Sequence, residues 1–342
     1  MANQFHLLIT PRYYTMCLEY GLFGVGRAQM NQIANVRAGD LAFIYTAIRV
    51  GSRTRPQIFG PFRVISEPFY NDTLVWAPDP KAPKKDKYPY RVKIGLTPEH
   101  VCANPLPVQR LWDMREEGKV KSVIDASALT NKSVINLLPN EGRLVLESIL
   151  QFNPRPAKDT SPYKGHGLEE CVIDPCDFIG TNPPEFRMES QLETYLLQNR
   201  GRLDEMAQFA SDEGDWQTET YNQVSTYIAG GAIDIIVIYK KRVFDMLLTL
   251  GAAVFELKKG VLEEETADQL LEYLEWTARL LPGLKREMIH GVLVGRDFGT
   301  TNKQRDSLKL KLSSLSGAYR LSAYTYRVGT DARVHFAPIS PS

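Results

Sequence analysis

The sequence has little cysteine, no long hydrophobic run and almost no net charge, and each of these absences excludes a class of protein. Its 342 residues include four scattered cysteines, Cys17, Cys102, Cys171 and Cys176, too few for a disulfide framework in a chain of this length. The 41 basic and 40 acidic residues nearly balance, which excludes a broadly polycationic nucleic-acid binder. No apolar run approaches the roughly 20 residues that cross a bilayer, and the first residues lack a basic segment followed by an apolar one. We therefore expect a cytoplasmic protein without a membrane partner.

A zinc site is weakly supported by the cysteines. Cys171 and Cys176 lie near His166 in the sequence, but their spacing departs from the short Cys-x-x-Cys pattern of structural zinc sites, and a fourth ligand is not evident. Reduced, partly buried thiols are the alternative that we prefer.

The chain changes character twice along its length. Short apolar runs with β-branched and aromatic residues at 5–9, 40–47, 57–66 and 90–94 predict strands of a small barrel or curled sheet, and helix signals follow at 106–150. The next segment is rich in Pro, Gly and Asp and has no periodicity, which is typical of a linker. We predict two domains, 1–153 and 184–342, joined by a linker at 154–183, and a fold class of α+β and α/β.

The second half alternates helix and strand patterns. A leucine stripe predicts a helix at 184–199, and apolar runs predict strands at 233–239, 252–257 and 288–295. Residues 263–281 carry apolar positions at intervals of three and four, which predicts a helix that packs on the sheet. The segment 243–250 is compatible with either a strand or a short helix.

Two carboxylates and a lysine follow apolar strand patterns in this half. Asp234 lies at the start of one run, while Glu256 and Lys258 end another and project from the same face of a strand. If the two strands are neighbours, Asp234, Glu256 and the carbonyl of Leu257 can bind Mg²⁺, and Lys258 can stabilise charge on a phosphate. The alternative is a solvated turn and strand end without a function.

These residues resemble the PD-(D/E)XK nuclease superfamily, and most closely its NucS-type endonuclease domain. The likeness covers about residues 184–300 through four ordered segments, MESQLETYL (188–196), GAIDII (231–236), FELKKG (255–260) and DQLLEYLEW (268–276). It implies an αβββαβ mixed-sheet nuclease core that uses Mg²⁺, for which Mn²⁺ can substitute. The chain departs in the spacing of 22 positions from Asp234 to Glu256, which is longer than a tight connection needs and leaves the strand pairing open.

The resemblance also implies roles for individual residues. Asp234, Glu256 and Lys258 match the catalytic core, and an acid on the first helix often completes such a site. Glu189 matches that position best, and Glu193 is the second choice. Two further residues lie four apart on the packed helix and resemble the family's QxxxY motif near the metal and the DNA backbone; they are Gln269 and Tyr273. Their alternative is the polar edge of an amphipathic helix.

The first half resembles an EVE domain of the PUA-like fold. The likeness spans about residues 5–150 and rests on GLFGV (21–25), VRAGDLAFIY (36–45), IFGPFRV (58–64) and YPYRV (88–92). It implies a PUA-like β-barrel with flanking helices that recognises modified nucleobases. The chain departs at Phe23, where the family places a tryptophan before Gly-Val.

Recognition of a modified base requires ring stacking and a polar partner for the base edge. A flipped base is held between aromatic side chains and read by hydrogen bonds. The candidates for this pocket are four aromatic residues and one acceptor: Phe23, Tyr45, Tyr70, Trp76 and Asp72. Ordinary core packing is the alternative for each aromatic residue.

A lysine-rich loop in the same half is a candidate for phosphate contacts. It contains Lys81, Lys84, Lys85 and Lys87, with prolines nearby. A solvated loop without a ligand explains the same residues equally well.

Together these features predict a modification-dependent DNA endonuclease that restricts modified foreign DNA. Its partner is then double-stranded DNA with a modified base, and because cleavage of both strands needs two active sites we expect a homodimer. The first alternative is a NucS-like repair endonuclease that acts on mismatched or branched DNA. The second is a non-catalytic protein that binds modified DNA or RNA.

Overall fold

The computed structural model divides the chain into two compact units, Met1–Ile173 and Asp174–Ser342. It describes residues 4–10, 13–50, 53–76, 87–96, 104–120, 132–154, 167–174, 184–209, 216–226, 231–329, 331 and 333–339. The division falls inside the segment predicted as a linker, while the domain boundaries at 153 and 184 stay predictions. No helix in these described ranges has the length and hydrophobicity needed to span a membrane.

The first unit is a mixed sheet with short helices around it. Its strands are β1 Phe5–Ile9, β2 Leu22–Val25, β3 Leu41–Val50, β4 Arg53–Val64, β5 Phe69–Tyr70, β6 Tyr90–Leu96, β7 Leu106–Pro107, β8 Val134–Leu137 and β9 Cys171–Val172. Its helices are α1 Tyr14–Tyr20, α2 Met30–Ile33, α3 Gln109–Glu116 and α4 Pro139–Phe152, with a 3₁₀ turn at Arg27–Gln29. The four strand runs predicted from the sequence correspond to β1, β3, β4 and β6.

The pairing of these strands leaves the sheet open. The order is β8-β1-β3-β4-β6-β5-β9, with β2 paired to β6 and β7 to β4. Only β1 and β3 run parallel, and the other pairs are antiparallel. Within the described residues β8 and β9 lie at opposite ends of this path and do not pair with each other. The closed barrel that we predicted is therefore not formed in this part of the chain.

A buried polar network fixes the turn that enters β3. Gly39 adopts φ +95°, a backbone conformation that favours glycine. The next residue, Asp40, accepts hydrogen bonds from the backbone of Gln4 and of Arg37, and it lies 2.8 Å from Nε2 of the fully buried His6. The other ring nitrogen of His6 lies 2.7 Å from Asn136 on β8. The Gly-Asp turn thus positions one carboxylate at the start of β3, and through His6 this carboxylate links β3 to β1 and β8.

The second unit is a six-stranded mixed sheet with helices. Its helices are α5 Glu189–Gln198, α6 Arg200–Met206, α7 Glu264–Leu280 and α8 Asn302–Leu315, with a 3₁₀ turn at Arg286–Met288. Its strands are β10 Trp216–Ser225, β11 Ala232–Val243, β12 Met246–Leu262, β13 Ile289–Phe298, β14 Arg320–Val328 and β15 Val334–Pro338, and they lie in chain order across the sheet. β13 is parallel to β12 and to β14, and the other pairs are antiparallel. From α5 to β13 the order is αβββαβ, with the short α6 added after the first helix.

The segment that the sequence left ambiguous is a strand on both sides of a tight turn. β11 and β12 pair as far as Val243 and Met246, and the two residues between them, Phe244 and Asp245, have φ of +47° and +64°. Two left-handed residues are typical of a type I′ turn, whose twist suits an antiparallel hairpin. The 21 residues between the two carboxylates therefore form a long hairpin, and the two carboxylate-bearing strands are direct neighbours.

Candidate active site

The hairpin brings Asp234 and Glu256 side by side. The antiparallel register pairs Ile235 with Phe255, so Asp234 stands opposite Glu256 at the next position. Asp234 Oδ2 accepts a hydrogen bond from the backbone N–H of Leu257 at 2.8 Å, which fixes the carboxylate against β12. Both carboxylates are buried, at 8% and 1% exposure. The two acids predicted to share a cation thus occupy one site.

Lys258 completes this cluster. Its Nζ donates to Glu256 Oε1 at 2.6 Å, because residues two apart on a strand project from the same face. The other carboxylate oxygen, Glu256 Oε2, is buried and has no hydrogen-bond partner among the described residues. A buried acceptor without a partner is costly, so this oxygen marks a position where a further group is expected.

Burial and crowding of negative charge raise the pKa of both acids. The pKa of Asp234 lies well above its usual range, first because burial disfavours the charged form and then because of the charges of Glu256 and Glu189. Burial raises the pKa of Glu256 to about 7, against the opposing effect of Lys258. For Lys258 burial lowers the pKa, but the neighbouring carboxylates, Glu256 first, outweigh it and raise the pKa overall. A cation would relieve this repulsion.

Both candidate acids of α5 lie near the pair. The charge of Glu189 acts on Asp234 and on Glu256, and that of Glu193 acts on Glu256. Glu193 is 1% exposed, and its Oε2 accepts a hydrogen bond from the side-chain amide of Gln223 at 2.8 Å. The same Nε2 lies 3.3 Å from Asp234 Oδ1, so Gln223 bridges the two acids. The choice between Glu189 and Glu193 stays a prediction.

Gln223 was not predicted from the sequence. It lies on β10 with φ +51°, a left-handed conformation that is uncommon for a residue other than glycine. The ladder pairs its neighbours Asn222 and Val224 with β11, so Gln223 lies within the paired region. No motif in the sequence marks Gln223, because its left-handed φ depends on the surrounding backbone and not on the residue type.

Gln269 and Tyr273 form a hydrogen-bonded pair on α7. Gln269 Nε2 donates to the Tyr273 hydroxyl at 2.8 Å, which follows from their spacing of four residues. Tyr273 is 1% exposed, and burial raises the pKa of its hydroxyl, with further effects of Glu256 and Asp234. The pair thus lies within electrostatic range of the carboxylates, and its part in catalysis stays a prediction.

The donor set is consistent with a hard cation such as Mg²⁺. No group of three His, Cys, Asp or Glu side chains in the described ranges is arranged to hold a metal ion. Mg²⁺ does not need three, because it commonly binds one or two carboxylates and keeps several waters. The orphaned Glu256 Oε2 and the raised pKa values of Asp234 and Glu256 therefore fit this ion. The carbonyl of Leu257 as a third ligand stays a prediction.

In the first unit, Trp76 belongs to an aromatic cluster in which Tyr88 is the central ring. The Trp76 ring meets Tyr88 edge-on at 5.8 Å, and Tyr88 meets Tyr13 in the same way at 5.8 Å. The Arg91 guanidinium lies 5.0 Å from the Trp76 ring, and Lys87 Nζ lies 5.1 Å from the Tyr88 ring. Tyr88 belongs to the YPYRV segment and could have been selected from it, whereas Tyr13 has no comparable signal.

The other predicted base-binding residues lie on β2, β3 and β5 and just after β5. Phe23 is 2% exposed in the core, so packing occupies both faces of its ring. Tyr70 contacts Tyr90 at 5.5 Å between ring centroids, and its hydroxyl lies 3.4 Å from Asp72. Tyr45 is partly buried on β3, and burial raises the pKa of its hydroxyl. Base binding by these residues and by Trp76 stays a prediction.

Of the predicted phosphate-binding lysines, only Lys87 lies in the described part of the chain. It is exposed and contacts the rings of Tyr88 and Tyr13, the latter at 5.8 Å. The remaining three, Lys81, Lys84 and Lys85, lie outside the described residues.

Residues 19–147 match the family model described as "EVE domain". This match confirms the EVE domain that the sequence predicted for the first half. The UPF0310 protein PH1033 of Pyrococcus horikoshii is 32% identical over 79 residues, which are 22% of this chain and 53% of that protein. The chain therefore spans about half the length of this curated relative.

Two solved structures are similar over different shares of the chain. The human THYN1 protein in complex with DNA containing 5-methylcytosine is 15% identical, with a TM-score of 0.31, over 43% of this chain and 98% of THYN1. A repair endonuclease from Pyrococcus abyssi is 12% identical, with a TM-score of 0.25, over 82% of each chain. The fusion of a nuclease domain to the EVE domain stays a prediction.

Proposed function

We propose that this chain is a modification-dependent DNA endonuclease. Its EVE domain recognises a modified base, and its second unit hydrolyses a phosphodiester with Mg²⁺. The observation that carries the proposal is the buried pair Asp234 and Glu256, with one unpartnered carboxylate oxygen and Lys258 beside it. Such a cluster is costly to fold and is typical of a functional site.

The chemistry follows from the positions of these side chains. Asp234, Glu256 and the carbonyl of Leu257 would hold Mg²⁺, which when bound would supply positive charge for the phosphate and lower the pKa of a bound water. Lys258 then turns its ammonium group toward the phosphate and stabilises the charge that grows on its oxygens. The oxygen of the attacking water bonds to phosphorus while the bond to one sugar oxygen breaks. The water gives up one proton to the surrounding solvent, and the departing sugar oxygen takes up one proton from it.

The neighbouring groups keep the carboxylates in place. The amide of Gln223 and the backbone N–H of Leu257 each donate to Asp234, so this carboxylate has a fixed orientation before the ion binds. Gln269 and the hydroxyl of Tyr273 lie on α7 within electrostatic range of the same acids and assist on the DNA side. Outer partners of this kind commonly change metal affinity or activity by about 10–100-fold.

The EVE domain supplies selectivity in this proposal. A modified base leaves the duplex and stacks on aromatic side chains. The candidates are the partly buried Tyr13 and Tyr88 beside the buried Trp76, and the predicted pocket residues. Lys87 lies over two of these rings and can contact a backbone phosphate. Because the two units belong to one chain, recognition raises the local concentration of the nuclease at modified sites.

The test is digestion of matched plasmids with and without 5-methylcytosine or N6-methyladenine. We expect Mg²⁺-dependent cleavage of a modified plasmid by the wild-type chain and none by Asp234→Asn. Glu205→Gln is the matched control, because Glu205 is an exposed acid that pairs with Arg202 on the surface of α6. Cleavage by Asp234→Asn at the wild-type rate would rule out the proposed active site.

The substrate arms of the same experiment separate the alternatives. Equal cleavage of modified and unmodified plasmids removes base recognition from the mechanism. Preferential cleavage of mismatched or branched unmodified duplexes favours the repair endonuclease. Binding of modified DNA without cleavage under any divalent cation favours the non-catalytic protein.

A further inference from the structure

The hairpin that carries the two carboxylates extends beyond the rest of its sheet. β10 pairs with β11 only as far as Lys241, and β13 pairs with β12 only from Ala252. In the described chain, residues 242–247 therefore pair only with one another, while Leu248, Thr249 and Gly251 pair with residues 239–241 of β11 and not with β13. We call residues 242–251 the arm. At about 3.3 Å per residue its tip lies roughly 10 Å beyond the last residue paired with β10.

The arm is apolar where it is most exposed. Four of its side chains are large, hydrophobic and exposed: Phe244 at 91%, Met246 at 57%, Leu247 at 38% and Leu248 at 38%. Single exposed hydrophobic residues are ordinary, but a contiguous group on one projecting element is typical of an interaction surface. Because these side chains are exposed, their packing contributes little to the fold. An isolated two-stranded hairpin is also only marginally stable in water, so a partner that covers these side chains would stabilise the arm.

The base of the arm is held firmly. Phe209 stacks on Tyr239 with ring centroids 3.8 Å apart, and it meets Trp216 edge-on at 5.0 Å. Lys241 Nζ lies 5.3 Å from the Trp216 ring, and Lys240 pairs with Glu219 at 2.6 Å. The arm thus presents its apolar tip in a defined direction.

The charges of the arm favour a second copy of this chain over nucleic acid. At the base of the arm Lys240 pairs with Glu219, and Lys241, which keeps its charge, lies against the Trp216 ring. Within residues 242–251 the charged groups are Arg242 and Asp245, and both are exposed. One positive and one negative group do not attract a phosphate backbone. They suit a two-fold interface, in which Arg242 of each copy meets Asp245 of the other beside the apolar side chains.

We propose that the arm is the dimerisation surface of this protein, and that two copies pack their arms together around a two-fold axis. The apolar side chains form the centre of the interface, and Arg242 and Asp245 pair across its rim. Because the arm is smaller than a standard interface, the dissociation constant is on the order of micromolar. The proposal is independent of nuclease activity, since the dimer forms without DNA.

Sedimentation velocity of the full chain without DNA, over a wide range of concentrations, tests the proposal. We expect a concentration-dependent dimer for the wild type and for Leu310→Asp, a matched control at a 74% exposed leucine on α8. Phe244→Asp is expected to weaken the dimer at least about 10-fold, with an unchanged circular dichroism spectrum. A wild type that stays monomeric, or a Phe244→Asp variant that dimerises normally, overturns the proposal. If the wild type is monomeric and Phe244→Asp weakens DNA binding, the arm binds nucleic acid instead.

Charge exchange gives a second test that does not depend on the apolar tip. Asp245→Lys is expected to weaken the dimer by like-charge repulsion with Arg242 of the other copy, and Arg242→Glu together with Asp245→Lys is expected to restore it. A turn disturbed at the left-handed position 245 would not be repaired by a change at position 242. Failure of the double variant to recover dimerisation overturns the proposed pairing.

Discussion

The side-chain amide of Gln223 donates a hydrogen bond to Asp234 Oδ1 at 3.3 Å. The same nitrogen lies 2.8 Å from Glu193 Oε2, so one amide orients an acid on β11 and an acid on α5. The left-handed backbone of Gln223 costs on the order of 1 kcal/mol and persists only where the surroundings hold it. Strain retained at this position is consistent with a role in the site.

Gln223→Ala is expected to weaken Mg²⁺ binding because Asp234 loses a group that fixes its orientation. We expect cleavage at limiting Mg²⁺ to fall about 10–100-fold and to recover partly at high Mg²⁺. The measurement is the cleavage rate as a function of Mg²⁺ concentration. Gln217→Ala, an exposed position on the same strand, is the control and should match the wild type. An unchanged Mg²⁺ dependence in Gln223→Ala would show that this amide does not position Asp234.

Glu256 makes the metal-free protein less stable as the pH rises. Its pKa is about 7 in the folded chain and near 4.5 in the unfolded chain, so both states are protonated below pH 4.5. Between pH 4.5 and 7 the unfolded chain ionises first, and the free energy of unfolding falls. Above pH 7 the loss is complete.

We therefore expect Glu256→Gln to stabilise the protein in EDTA at pH 8. The free energy of unfolding should rise by roughly 1–3 kcal/mol, because the glutamine has no charge to bury. Lys258 loses one carboxylate partner, but the charges of Asp234 and Glu189 still act on it. Thermal unfolding measures the change in stability. Added Mg²⁺ should raise the melting temperature of the wild type and not that of Glu256→Gln. A variant with a lower melting temperature than the wild type in EDTA contradicts this account of the buried carboxylate.

His290 on β13 has the opposite dependence on pH. Burial lowers its pKa to about 4, although the hydrogen bond to the Ala207 carbonyl favours the charged form. In the unfolded chain the imidazole of His290 takes up a proton near pH 6.5, whereas in the folded chain it does so only near pH 4. The stabilisation from the neutral ring is therefore fully present above pH 6.5 and is lost as the pH falls towards 4. The second ring nitrogen lies 3.0 Å from Ser322 Oγ, which fits a neutral ring that donates to the carbonyl and accepts from the hydroxyl.

The contributions of His290 and Glu256 overlap between pH 4.5 and 6.5 and oppose each other. His290→Gln should remove an acid-induced loss on the order of 3 kcal/mol, so that the remaining slope in this range is that of the carboxylates. Melting temperatures of the wild type and of the variant from pH 4 to 8 measure the difference. If both lose stability equally on acidification, His290 is not the group that takes up the proton.

The alternation of strand residues made part of the candidate site predictable. Glu256 and Lys258 are two apart on a strand, and Asp234 lies at the start of the apolar run that forms the neighbouring strand, so the local pattern marked all three residues. Their meeting also depends on the pairing of the two strands, which the sequence left open. The closed barrel and the position of Gln223 were not predictable in this way. Strand closure depends on contacts between distant segments, and a left-handed residue inside a ladder depends on the backbone of its neighbours.

Gly24 is a position where a single methyl group is expected to disturb the aromatic cluster. A Cβ atom there would lie 2.8 Å from Trp76 Cη2 and 2.9 Å from the Tyr88 carbonyl oxygen, so both neighbours would have to shift. Gly24→Ala should cost about 1–3 kcal/mol of stability and move the Trp76 ring. If this cluster contacts the modified base, the affinity for modified DNA should fall while that for unmodified DNA stays the same.

Fluorescence anisotropy with modified and unmodified duplexes measures both affinities. Gly95→Ala is the matched control, because its Cβ would meet only Ile65 at 3.5 Å, an ordinary contact. The control variant should bind like the wild type, and circular dichroism should show that both variants are folded. A folded Gly24→Ala protein that still prefers modified DNA by the wild-type ratio would place the base elsewhere in the EVE domain, since a displaced Trp76 cannot keep the same stacking surface.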